Sequence, residues 1–223
     1  MNKITPLILA LSLIFASCSS NENEGLINTQ ENLLKSYTLK RDANGAYSID
    51  FKTTNNTDVT TVKNVDASNE IILSEANHNT ENNHRNDFAI ENDQLKIGFL
   101  NTENGIKSNI NIKDSNIKLQ KSKNYNFLSS YKIDSKENNE YELNFEVFND
   151  VVVDFSYNYE KNRYEVHLKS GTSKTTHYNK NFIKNEGEPL KIFFINHKFN
   201  NNVAFNATLQ SSARVYRRHF NNW

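Results

Sequence analysis

Several groups of residues in this 223-residue chain carry side chains able to do chemistry. Glu165 and His167 stand two apart, on one face of an extended strand, and His177 follows across a turn near Ser170-Gly171. A carboxylate beside imidazoles is the raw material of a metal site or an acid/base pair. The HExxH spacing is missing, however, so a solvated polar strand face is the simpler expectation. His78 and His84 fall in a run polar enough to read as a loop. Asp42-Ala43-Asn44-Gly45 alternates oxygen ligands before a glycine, as the start of a calcium loop does, but it suits a hairpin turn equally well.

Nucleophiles and phosphate cradles leave less to consider. No serine sits in a GxSxG elbow, and no GxGxxG or Walker-type loop is present. Asp50 with Asp58, or Asp150 with Asp154, would serve a glycosidase only at the right separation. The aromatic series Phe155, Tyr157, Tyr159 and Tyr164 places alternate rings on one strand face. Such spacing builds either a sheet core or an exposed stacking platform for sugars or peptides. Arg214, Arg217 and Arg218 near the end read as a solvated face or a contact for headgroups or a partner.

The single cysteine, Cys18, follows Ala16-Ser17 at the end of an apolar run that begins after Lys3. That run is too short for a membrane span, which needs about 20 residues, and has the length of a cleavable signal core. Small residues leading into cysteine resemble the bacterial lipobox, with Phe15 where leucine is commonest. The resemblance implies that Cys18 becomes the lipidated first residue of an exported protein, anchored by two or three acyl chains. Ser19, Ser20, Asn21, Glu22, Asn23 and Glu24 come next, similar to the acidic export signals of Bacteroidota surface lipoproteins but equally readable as a plain tether. With Cys18 acylated, the chain has no thiol left for a disulfide or for catalysis.

Charges balance at 26 basic and 26 acidic residues, so no electrostatic case for nucleic acid exists. Only 36% of residues are hydrophobic, yet they are gathered into short alternating runs, and Tyr and Phe far outnumber Trp and Met. That chemistry suits strands.

The elements that must position these side chains are repeated. At an offset of about 94 residues, Leu34-Lys35-Ser36-Tyr37 matches Leu128-Ser129-Ser130-Tyr131, and Tyr47-Ser48-Ile49-Asp50-Phe51 matches Tyr141-Glu142-Leu143-Asn144-Phe145. Leu95-Lys96-Ile97-Gly98-Phe99-Leu100-Asn101 likewise matches Leu190-Lys191-Ile192-Phe193-Phe194-Ile195-Asn196. Each half should then be the same antiparallel meander of five or six strands. Where Gly45 stands, the second half has Asn139, another residue tolerant of positive φ, while Asp42 gives way to Lys136; the duplication therefore favours a turn over a calcium loop. Asn109–Lys113 and 116–120 flank Asp114-Ser115 as a self-consistent hairpin. Leu209, Ala213, Tyr216 and Phe220 recur at helical spacing.

These features predict an all-β protein of two internally duplicated antiparallel β meanders with a short C-terminal helix. The segments are a signal peptide over 1–17, a tether over 18–33, repeats over 34–101 and 127–197, a connecting hairpin over 102–126 and a tail over 198–223. Halves this small favour mutual packing into one pseudo-symmetric sandwich over tandem units. The expected role is a non-catalytic binding or envelope-assembly module of the outer membrane, periplasmic or surface-facing, with the membrane and an envelope protein or glycan as partners and no cofactor or metal. A hydrolase using paired carboxylates and an envelope immunity or inhibitor lipoprotein are the alternatives.

Overall fold

The computed structural model describes residues 32–115, 126–136, 139–185, 187–198 and 202–211. Cys18 and its leader, positions 116–120 and the tail beyond 211 lie outside the described residues. The first half contributes β1 (Leu34–Arg41), β2 (Tyr47–Thr53), β3 (Thr57–Lys63), β4 (Asn69–Glu75), β5 (Asn83–Phe88), β6 (Gln94–Asn101) and β7 (Ile106–Asp114). The second contributes β8 (Leu128–Ser135), β9 (Glu140–Val147), β10 (Val151–Asn158), β11 (Arg163–Ser170), β12 (His177–Ile183), β13 (Leu190–Asn196) and β14 (Val203–Ser211). Among the described residues there is no helix.

The strands form a six-stranded sheet, β12-β9-β8-β1-β2-β5, and an eight-stranded sheet, β10-β11-β13-β14-β7-β6-β4-β3. Both orders read the same from either end once each strand is replaced by its repeat partner. The halves meet in the middle of each sheet, at β1–β8 and β7–β14. Leu39 faces Ile133 and Ile110 faces Ala207 across these pairs, and all four side chains are buried. Because Leu39 and Ile133 are also repeat equivalents, a pseudo-two-fold axis runs through them. One continuous cluster of buried side chains fills the space between the sheets, so the duplication makes one sandwich core.

Among the described residues each half has seven strands, more than the five or six expected, and is no simple meander. After β4 the chain crosses to the other sheet for β5, then returns to lay β6 parallel to β4; β11, β12 and β13 repeat the excursion. The hairpin centred on Asp114-Ser115 does not form at β7, because both edges of that strand are already taken by β6 and β14. Leu209 lies in β14 and not in a helix. The alternation of buried Val203, Phe205 and Ala207 extends the period-two pattern into that strand. His84, read as a loop residue, sits on β5 and stacks on Phe51, with ring centres 5.0 Å apart. Its neighbours are polar because β5 is an edge strand.

Turn chemistry follows the duplication. Gly45 and Asn139 both adopt positive φ, at 82° and 60°. The Asp42 carboxylate accepts the backbone N–H of Asn44 at 2.9 Å and of Ala46 at 2.8 Å. Its Oδ1 is committed to closing the β1–β2 turn.

One polar network is buried between the sheets. Arg41 of β1 gives its Nε–H to Asp114 of β7 at 2.7 Å, and neither side chain is more than 2% exposed. The Tyr47 hydroxyl donates to the same carboxylate oxygen at 2.8 Å, and that of Tyr131 donates to Tyr47 at 3.2 Å. Arg41 Nη1 adds a bond to the Ser129 carbonyl at 3.0 Å. Burial pushes both tyrosine hydroxyls up, so they remain protonated donors. The equivalent positions in the other half are Ser135, Tyr141 and Tyr37, so the tyrosine pair is repeated but the arginine is not. Removing one partner would strand a buried charge: Arg41→Ala should lower stability by about 3–5 kcal/mol, read from urea unfolding, whereas a solvated pair such as Lys63–Glu91 should contribute less than about 1 kcal/mol.

Candidate functional site

The densest grouping of chemically capable side chains is on the outer face of the eight-stranded sheet in the second half. Ser156 pairs in register with Glu165, and Asp154 with His167, so the four share one face of β10 and β11. His167 Nε2 lies 2.9 Å from Ser156 Oγ and 3.4 Å from Glu165 Oε2. Its Nδ1 lies 2.9 Å from Nε2 of His197, just beyond β13. Glu165 is held in turn by Arg163, at 2.7 Å from Nε and 2.6 Å from Nη2, and by Asn158 Nδ2 at 3.1 Å. The Arg163 guanidinium covers the Phe193 ring at 4.1 Å.

The sequence placed Glu165 and His167 on one face, and the structure does the same. It does not bring His177 to them. That residue is on β12 in the other sheet, where Nε2 contacts Glu146 Oε1 at 2.9 Å. The true neighbour is His197, which no local pattern could reveal, because β11 and β13 become adjacent only through the excursion to β12.

Ser156, His167 and His197 line up as a nucleophile, base and third member would. The position of Glu165 opposes that chemistry. A carboxylate beside Nε2 favours the tautomer with its proton on Nε2, which then donates to Ser156 Oγ and cannot accept its proton. The lone pair is left on Nδ1, facing His197. The first half carries Val62, Ile72 and Thr102 at the corresponding places, so the fold itself does not require this cluster.

The aromatic series occupies the opposite face of β10 and β11, at the open edge of the sandwich. Phe155 packs edge-on to buried Phe145 at 6.0 Å and lies 5.7 Å from the Lys180 ammonium. Tyr157 meets Tyr159 and Tyr164 at 4.9 Å each, and Tyr164 rests 4.6 Å from buried Phe182. Tyr164 therefore backs the cluster, Phe155 and Tyr157 are partly exposed, and Tyr159 projects with 87% of its surface free. Thr61 and Lys63 stand where Phe155 and Tyr157 do in the other half, and there an Asn86–Thr61 hydrogen bond of 2.7 Å joins the two sheet edges instead. Beside Tyr157 is a shallow hollow bordered by Asn162, Asn185, Glu188 and Lys191.

A trough of about 1060 Å³ crosses one end of the six-stranded sheet, lined in part by Lys40, Phe88, Tyr131, Lys132 and Tyr178. Its carboxylates are engaged: Asp42 closes the turn, Asp87 binds Arg85 at 3.0 Å, and Glu146 faces His177. The carboxylate pairs singled out in the sequence are not assembled as glycosidase pairs. Asp50 pairs with Lys40 and Arg85 in one sheet, whereas Asp58 belongs to the other. Asp150 and Asp154 are four residues apart along extended chain, about 13 Å, beyond the reach of either hydrolytic geometry. Asp154 is also kept ionised by Lys169 at 2.8 Å, which holds its carboxyl below the usual range.

Burial pushes the Glu165 carboxyl up, but the hydrogen bonds and charge of Arg163, with help from Asn158, outweigh it and leave it below its ordinary value. A carboxyl depressed on folding contributes stability above the unfolded-state value of about 4.3, and that contribution is lost as pH falls through the folded one. Glu165→Gln should therefore lower the urea midpoint at pH 7 and flatten its fall between about pH 5 and pH 3.

Comparison with protein-family models, with curated proteins and with solved structures returns no match. The bearing on function is thus carried by the side chains themselves.

Proposed function

We propose that the chain is a lipid-anchored, non-catalytic binding module of the bacterial envelope that holds a glycan against the aromatic edge formed by Phe155, Tyr157, Tyr159 and Tyr164. The observation that carries this reading is the asymmetry of the duplication. Both halves use the same residue types to build the core, but only the second places three tyrosines and a phenylalanine at its sheet edge. An exposed tyrosine costs solvation without improving packing, whereas a sugar ring presents an apolar face that stacks on such a ring. The amides and charges of Asn162, Asn185, Glu188 and Lys191 border the adjoining hollow and supply partners for hydroxyls.

The anchor in this reading is Cys18, whose setting resembles a lipobox. Acylation there would leave the sandwich at the end of a short polar tether, facing the periplasm or the medium. Cys18→Ala should abolish incorporation of labelled palmitate and move the protein from the membrane to the soluble fraction. For the contact face, electrophoresis through gels containing soluble polysaccharides measures retardation directly. The wild-type chain should be slowed by at least one of a β-glucan, a xylan and a mannan, and each of Tyr157→Ala and Tyr159→Ala should weaken that binding about tenfold, as loss of 1–1.5 kcal/mol implies. Undiminished retardation of the double variant would remove the aromatic edge from the mechanism.

A further inference from the structure

We propose that His167 and His197 form a binding site for a divalent transition ion of the zinc type, with Glu165 as the positioning carboxylate behind it. The site lies on the face of β10 and β11 opposite the aromatic edge, so it is independent of the glycan reading.

Three observations converge. Metal-binding histidines commonly give their second ring N–H to a carboxylate, which fixes the tautomer and aims the lone pair. At His167 the Nε2–H goes to Ser156 Oγ at 2.9 Å, and Glu165, 3.4 Å from the same nitrogen and itself locked by Arg163 and Asn158, favours that tautomer electrostatically. The freed lone pair on Nδ1 points at His197 Nε2, 2.9 Å away, where without metal the two rings share a proton. The ring centres are 5.1 Å apart. Two imidazoles on one tetrahedral ion, each with its centre about 3.2 Å from the metal, have centres about 5.2 Å apart. The rings therefore need only pivot in place for both lone pairs to meet at an ion, with the His197 proton moving to Nδ1.

Among the described residues no three His, Cys, Asp or Glu side chains are gathered as ligands, so the protein supplies two donors and water fills the remaining positions. Asp154, opposite His167 on the same face, adds negative charge there. Imidazole donors select zinc-like ions over magnesium and calcium, which want oxygen. Because His197 stands at the end of β13, an ion there would tie that end of the strand to β11.

The test is calorimetric titration of the untagged full-length chain with zinc chloride and, separately, with magnesium chloride. The expected result is one zinc per chain and no magnesium heat. His197→Gln changes an exposed residue outside any strand and should lose zinc binding with an unchanged circular dichroism spectrum; His167→Gln should do the same. Glu165→Gln should keep the stoichiometry but weaken binding 10- to 100-fold, the usual loss for a residue acting behind a ligand. Absence of zinc binding in the wild type, or equal binding by His197→Gln, overturns the site. Equal binding by Glu165→Gln overturns the role given to the carboxylate.

Discussion

The fold rests on two antiparallel strand pairings that cross the boundary between the repeats. β1 pairs with β8 and β7 with β14, and these four strands are the centres of the two sheets. A central strand cannot leave one row of N–H and C=O groups unmatched inside a core without a large loss of stability. Neither half can therefore satisfy its own backbone, and the sandwich exists only as the pair. Leu39 and Ile133 lie where the axis passes the smaller sheet, Asn111 and Asn206 where it passes the larger with buried Ile110 and Ala207 beside them, and the remaining strands add outward in matching order. The Arg41–Asp114 pair spans the sheets close to this seam and breaks its symmetry.

That arrangement gives a built-in control for function. Apart from the Arg41–Asp114 pair, the main core and turn residues of the seven-stranded unit appear twice: Tyr47 and Tyr141, Phe51 and Phe145, the turn residues Gly45 and Asn139 with positive φ. Glu70 and Glu165 are also paired across the duplication, each joined to a basic residue, Lys107 in one half and Arg163 in the other. What appears once is free to serve something else. The aromatic edge and the His167–His197 pair are both features of the second half alone, on opposite faces of the same two strands.

Much of this was legible in the residues. Period-two alternation located the strands, and the offset of about 94 residues announced the duplication and disposed of the calcium loop before any side chain was placed. The partnership of His167 with His197 was not legible, because parallel pairing of β11 and β13 depends on an intervening strand entering the other sheet. The same cause hid the full length of the repeat. β7 and β14 match weakly in sequence, since each needs only to complement the other: Ile110 lies opposite Ala207 and Phe205 opposite Ile112. The hairpin drawn from Ile110 and Ile112 was sound locally but lost to β6, just before it, and to β14, far along the chain.

The pairing of Leu39 with Ile133 also sets an order of events in time. Local hairpins such as β1–β2 and β3–β4 close over a few residues, whereas the β1–β8 contact waits for the first strand of the second half and the β7–β14 contact for its last. Closing loops of that length is slow, and topologies dominated by distant pairings fold in milliseconds to seconds. The larger sheet thus gains its centre only when the final strand is in place. Late closure leaves the two repeats joined through one sheet before they are joined through the other.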